Sequence, residues 1–224
     1  MNDSDQRHVE ASVTRIWAKT NSGTCQWHPL LYHLVETSAT ASLLWDEILA
    51  PSTHKVIADA LGLPLDEARQ WSLFLVGAHD LGKASPSFQC KWAPSVLPLQ
   101  QLGYRFPVNV MPIPHGRVSS IALARILEAR GVERRVANEI ARAVGGHHGV
   151  FDTASALQQS SPQAVGEGLW EESRKWIIDL TCPLKTNPNL ERESKDSGVC
   201  KEAGNDEEAI HERTDYPQAE GSRS

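Results

Sequence analysis

The sequence predicts an all-α fold: one compact helical domain over residues 1–184, followed by a disordered acidic tail over 185–224. Three observations predict it. Apolar residues recur at helical spacing through successive stretches of the first 184 positions. No period-2 apolar alternation is long enough to support a sheet. Composition then shifts: residues 185–224 carry 10 acidic and 6 basic side chains, with only Leu190, Val199 and Ile210 as aliphatics. Such a segment buries too little apolar area to offset the entropy of ordering it.

The elements follow in chain order. Leu30, Leu31, Leu34, Val35, Ala39, Leu43 and Leu44 share a helical period, and Pro51 closes that stretch. Pro64 opens a second long helix whose stripe is Leu65, Ala68, Trp71, Leu75 and Ala78, and which runs into His79. The Pro- and Gly-rich stretch 85–114 reads as an irregular loop crossing the site. Two helices follow, over 119–129 and 133–144, split at Gly131; Gly145 and Gly146 then loosen the chain before His147. A last helix covers 162–180, and no internal repeat is present.

Charge and cysteine usage narrow the function classes. A net charge of -6 excludes a generally basic nucleic-acid binder, so contact with a polyanion must be local, through metal ions or a few Lys and Arg. The four cysteines, Cys25, Cys90, Cys182 and Cys200, form no C-x-x-C pair. They fit reduced thiols, hence a cytoplasmic location, better than a disulfide frame or zinc ribbon. The polar N-terminus lacks the apolar core of a signal peptide, and no apolar run approaches the ~18 residues that span a bilayer.

Chemistry concentrates in the histidines. His33 lies on the first long helix, His79-Asp80 ends the second, His115 precedes a helix, and His147-His148 closes another. Imidazole and carboxylate together suit Mn, Fe, Co, Ni or Zn, whereas oxygen ligands alone suit Mg or Ca. Two adjacent metals sharing a carboxylate acidify a bound water and clamp the oxygens of a phosphoryl displacement. Each element has a plainer reading: a single helical His is more often a packed or exposed residue than a ligand, and His-His-Gly also suits a helix C-terminus. Their ordered co-occurrence carries the weight. His28, five residues before His33, does not share its helical face, and His8, His54 and His211 read as surface residues.

The order His, His-Asp, His, His-His resembles the HD superfamily of metal-dependent phosphohydrolases. The flanking residues resemble one branch, the HD domain of the CRISPR-associated nuclease-helicase of type I systems. HPLLYHLVETSATA is similar to its first motif, HDLGKASPSFQ to its second, PHGRVSS to its third and GGHHGVF to its fourth. The resemblance covers roughly residues 15–180 and implies His33, His79, Asp80, His115, His147 and His148 as metal ligands. It implies Asp80 as the bridge and Lys83 beside the phosphate, the two being the candidate catalytic residues. It further implies two divalent transition-metal ions (Mn, Ni, Co or Fe rather than Mg) and single-stranded DNA as substrate. The CRISPR surveillance complex and a helicase, possible in trans, are the implied partners.

One departure stands out. The family carries a final aspartate on a later apolar helix; here Asp179 comes early, and Asp215 sits in polar surroundings. The helicase domains of the family are absent from these 224 residues, as in a stand-alone subunit or a fragment. Two other readings stay open: a nucleotide phosphohydrolase of the wider superfamily, and a non-catalytic HD-like module that docks to the surveillance complex.

Overall fold

A computed structural model describes residues 12–21, 23–24, 26–109 and 111–181. The expected disorder of 185–224, together with His8, His211 and Asp215, lies outside the described residues. Within them the fold is helical around one small hairpin. Strand β1 (Trp17–Asn21) pairs antiparallel with β2 (Gln26–Pro29), with an irregularity between Trp17 and Lys19. Strands this short display no apolar alternation, so the hairpin was invisible to a period argument.

Helix α1 (Leu30–Leu43) follows Pro29 directly and buries Leu30, Leu31 and Leu34. It passes into a π turn at Leu44–Ile48 that buries Trp45. Val35, Leu43 and Leu44 share the helical period yet are exposed, so the stripe is narrower than the pattern suggested. Helix α2 (Pro51–Leu61) stops at Gly62, whose positive φ of 66° is the left-handed helix end that glycine tolerates. Helix α3 (Leu65–Gly77) then buries Ala68 and Phe74. Trp45, Ala58 and Ala68 form a satellite core beneath this outer pair.

The stretch 85–114, expected to be loop throughout, contains two helices. Helix α4 (Pro86–Gln89) starts at Ser85, whose side chain accepts the Phe88 N–H; helix α5 (Ala93–Gln101) follows. Both begin with Pro in the first turn, where its missing N–H is harmless. Pro86 and Pro94 mark these helix starts, and Pro98 lies inside α5, although the same prolines read like loop in the sequence.

Helices α6 (His115–Ala129) and α7 (Arg134–Gly145) pack closely, as Gly145 permits. A Cβ on Gly145 would lie 1.9 Å from Ser120 Oγ and 2.4 Å from the Gly116 carbonyl. That glycine serves close approach rather than the looseness expected of it. Short helices α8 (Ala154–Gln158) and α9 (Pro162–Val165) lead to α10 (Leu169–Thr181). The single last helix expected over 162–180 is therefore two, broken at Gly166 and Gly168, both with positive φ. Leu30, Leu34, Phe74, Leu81, Leu123, Leu127, Trp170 and Ile177 join in the main core, which seats the segment following α3.

Candidate metal centre

Asp80 is the hub. Chain passes from α3 through Ala78-His79-Asp80 into a 3-10 turn at Leu81–Lys83. Leu81 and Ala78 are buried in the core, which fixes this turn and leaves Asp80 only 4% exposed. Gly82 lets the turn reach α6: a Cβ there would sit 1.9 Å from the His115 carbonyl oxygen. Ser119 fastens the contact. Its hydroxyl accepts the Gly82 N–H at 2.8 Å and donates to the His79 carbonyl at 2.9 Å.

The predicted imidazoles converge on this carboxylate from helices α1 and α6 and from the turns that follow α3 and α7. His33 Nε2 is 2.9 Å and His79 Nε2 3.1 Å from Asp80 Oδ2. On the other oxygen, His115 Nε2 is 3.1 Å and His147 Nε2 3.4 Å from Oδ1. His148 Nε2 lies 3.1 Å from His115 Nε2. The ligating atoms thus fall into two sets, each within 4.8 Å of one another: His33, His79 and Asp80, and Asp80, His115, His147 and His148. One carboxylate serves both.

Ring orientation suits metal binding. His79 Nδ1 is 2.8 Å from the Val76 carbonyl and His147 Nδ1 2.9 Å from that of Val144. A carbonyl only accepts, so each Nδ1 must carry the proton, and Nε2 keeps its lone pair toward the cluster. Burial lowers the His147 pKa below the ordinary histidine value, outweighing the carbonyl and Asp80, which raise it. Burial by itself would push the Asp80 carboxyl up. Hydrogen bonds from His115, His33 and Lys83 outweigh it and hold the group far below the usual carboxylate range. The residues present therefore fit a divalent cation: imidazole nitrogens surround a carboxylate that stays ionised.

Lys83 does not project toward open solvent. Its ammonium sits 2.7 Å from Asp80 Oδ2, donates to the Ala18 carbonyl at 3.2 Å and stands 5.3 Å from the Phe88 ring centroid. Behind it, the buried Gln89 carboxamide donates to the carbonyls of Trp17 and Lys83 and accepts the Trp17 N–H. Gln89 so ties strand β1, which supplies Ala18, to the turn that supplies Lys83. Arg174 is fully enclosed on the far side, donating to the carbonyls of Ala84, Val165 and Gly166. Sequence reasoning missed these supports. Gln89 and Ser119 lay inside the quoted motifs without an assigned task, and Arg174 gave no signal at all.

Other histidines sort differently. The His28 ring is 6.4 Å from that of His33, but its Nε2 pairs with Glu36 at 3.0 Å, so it stands beside the cluster without joining it. His54, expected on the surface, stacks on Trp45 at 4.5 Å and bonds its carbonyl. Asp179 is exposed and pairs with Arg130, away from Asp80. Cys90 is a free thiol.

Residues 17–203 match the family model described as the HD domain of Cas3. The chain belongs to the Cas3 HD-domain family. The CRISPR-associated endonuclease/helicase Cas3 of Thermus thermophilus is 35% identical over 172 residues, covering 76% of this chain and 18% of that protein. A crystal structure of a CRISPR-associated protein aligns with a TM-score of 0.72 at 31% identity, covering 79% of this chain and 20% of the other. The Thermus thermophilus Cas3 HD domain, crystallised in the presence of Ni2+, aligns with a TM-score of 0.57 at 30% identity; coverage is 77% and 64%. The chain spans about a fifth of the length of the first two of these relatives. Among the described residues, no helix is long and apolar enough to cross a membrane.

Proposed function

We propose that this chain is a divalent-metal-dependent nuclease acting on single-stranded DNA in type I CRISPR interference. The observation that carries the reading is the division of four imidazole Nε2 atoms between the two oxygens of one buried carboxylate, Asp80, with His148 joining the set on the Oδ1 side through His115. That arrangement would hold two ions, one by His33, His79 and Asp80, the other by Asp80, His115, His147 and His148. Nitrogen-rich donors favour Mn, Co, Ni or Fe over Mg. The Ni2+ in the crystals of the Thermus thermophilus domain agrees with such a preference.

When bound, the ions supply Lewis acidity, neutralising phosphate charge and acidifying a water for attack at phosphorus. The chain's own residues do the rest. Val76 and Val144 carbonyls fix the His79 and His147 tautomers. Lys83 keeps the Asp80 carboxylate ionised and in place, and adds a positive charge near the phosphate. That ammonium is thus shared between Asp80 and the phosphate. The overall charge of -6 argues that DNA affinity is weak and that a partner delivers the strand. The relative's name, CRISPR-associated endonuclease/helicase, supports a helicase as one partner, and we assign the CRISPR surveillance complex as the other.

Substrate choice tests the reading. Purified chain supplied with Mn should cut single-stranded DNA and spare intact duplex. Faster hydrolysis of free dNTPs or cyclic nucleotides would favour a nucleotide phosphohydrolase instead.

A further inference from the structure

Immediately after His147-His148-Gly149 the chain presents an aromatic ring to solvent. Phe151 is 63% exposed. An exposed phenylalanine is ordinarily a loose surface residue, but this one rests on Gly146 and is followed by a residue that two arginines hold. Its ring lies on the bare Cα of Gly146: a Cβ at that position would meet Phe151 Cδ1 and Cε1 at 2.4 Å. Gly146 itself has a φ of -81°, which any residue adopts, so the glycine serves space and not conformation.

The next residue is strapped to both helices of the cluster. Asp152 Oδ1 accepts from Arg117 Nε at 2.9 Å and from Arg117 Nη2 at 2.6 Å. The Asp152 carbonyl accepts from Arg142 Nε at 3.1 Å. Arg117 is two residues beyond His115 on α6, and Arg142 is five before His147 on α7. Both guanidiniums are thereby engaged with Asp152, and they hold the loop to the two helices that carry or precede His115 and His147. The clamped ring is within about 8 Å of the His147 Cα, from chain geometry alone.

A rigid, flat, apolar face beside a phosphate-handling cluster matches one feature of a single strand, an unstacked base. Stacking on such a ring is tolerant of sequence because every base has a π face. Clamping the ring beforehand removes the ordering loss that a mobile side chain would suffer on binding. We propose that Phe151 is the platform on which a base next to the scissile phosphate stacks. This rests on the nuclease reading above and adds the residue that grips the strand.

The test uses the full chain and fluorescein-labelled oligothymidylate. Affinity is read on metal-free protein, and cleavage with Mn. Phe151→Leu should weaken binding about tenfold, the order of one stacked base, and raise KM more than it lowers kcat. Phe151→Trp should restore binding. On the unaltered chain with Mn, a single abasic site should suppress cleavage at the phosphate beside it and leave distant phosphates unaffected, and Phe151→Leu should remove that local suppression. This cleavage map needs no variant, so it decides even where Phe151→Leu fails to fold. Equal binding by the Leu variant and the parent chain, or cleavage indifferent to the abasic site, would overturn the stacking role and leave an exposed ring for a protein partner. If the parent chain neither binds nor cuts the strand, the nuclease reading falls first and the platform with it.

Discussion

The Lys83 ammonium lies 2.7 Å from Asp80 Oδ2, the oxygen that also faces His33 and His79. One 3-10 turn thus carries both the shared carboxylate and the cation that holds it. Lys83 acts through Asp80 as well as near the phosphate, and the two substitutions should separate. Asp80→Ala should strip the chain of metal and abolish cleavage. Lys83→Ala should lower metal affinity about 10–100-fold, the usual effect of losing a partner of a ligand, with metal regained at saturating ion while cleavage stays slow. Complete metal loss in both variants at saturating ion would contradict this division.

The two ligand sets make a second prediction. His33→Ala should disturb the ion between His33, His79 and Asp80, and His147→Ala the ion on the other side of Asp80. Calorimetric titration with Mn or Ni should show two ions in the parent chain and one tight ion in each variant. Loss of all binding in either variant would point to a single ion held by all six residues.

Acid should release metal, and the sign follows from the ligand chemistry. A ligand imidazole binds only when neutral, so protons compete with the ion as pH falls. His147 is held below the ordinary histidine value, chiefly by burial, so it stays available further into acid than a free imidazole. Bound metal, read by elemental analysis after dialysis, should be constant above pH ~7 and decline below ~6.5. Metal content that rises on acidification would exclude imidazole ligation.

Arg174 should matter for stability without touching the cluster. Burial lowers its pKa to about 10, which leaves it charged at neutral pH. Its donors satisfy the carbonyls of Ala84, Val165 and Gly166, joining α10 to the segment after Lys83. Arg174→Met abandons three buried carbonyls, at about 1–3 kcal/mol each, partly offset by removing a buried charge. A loss on the order of 3 kcal/mol should lower Tm by about 6–12 °C in a domain of this size. An unchanged Tm would show that water replaces the guanidinium.

The residues of the cluster were legible in sequence through short motifs that resemble the family's: His79, Asp80 and Lys83 share one turn, and His147 and His148 are neighbours. Long helices such as α6 and α7 were legible from their apolar period. What supports the cluster was not. Gln89 reaches Trp17 across 72 positions and Arg174 reaches Ala84 across 90, and neither pairing leaves a mark on local pattern. The hairpin escaped because five- and four-residue strands show no period, and α4 and α5 escaped because helix-starting prolines read as breakers. His54 was placed on the surface because nothing in its neighbourhood announces the Trp45 ring beneath it.

The measurement that bears most directly on the central claim is cleavage of single-stranded DNA by chain stripped of metal and reconstituted with one ion at a time. Six ligands, five of them imidazoles, predict no cleavage without metal and at least about tenfold faster cleavage with Mn, Co, Ni or Fe than with Mg. Cleavage that survives metal removal, or that Mg supports while none of the other four does, would contradict a nuclease built on the Asp80 cluster.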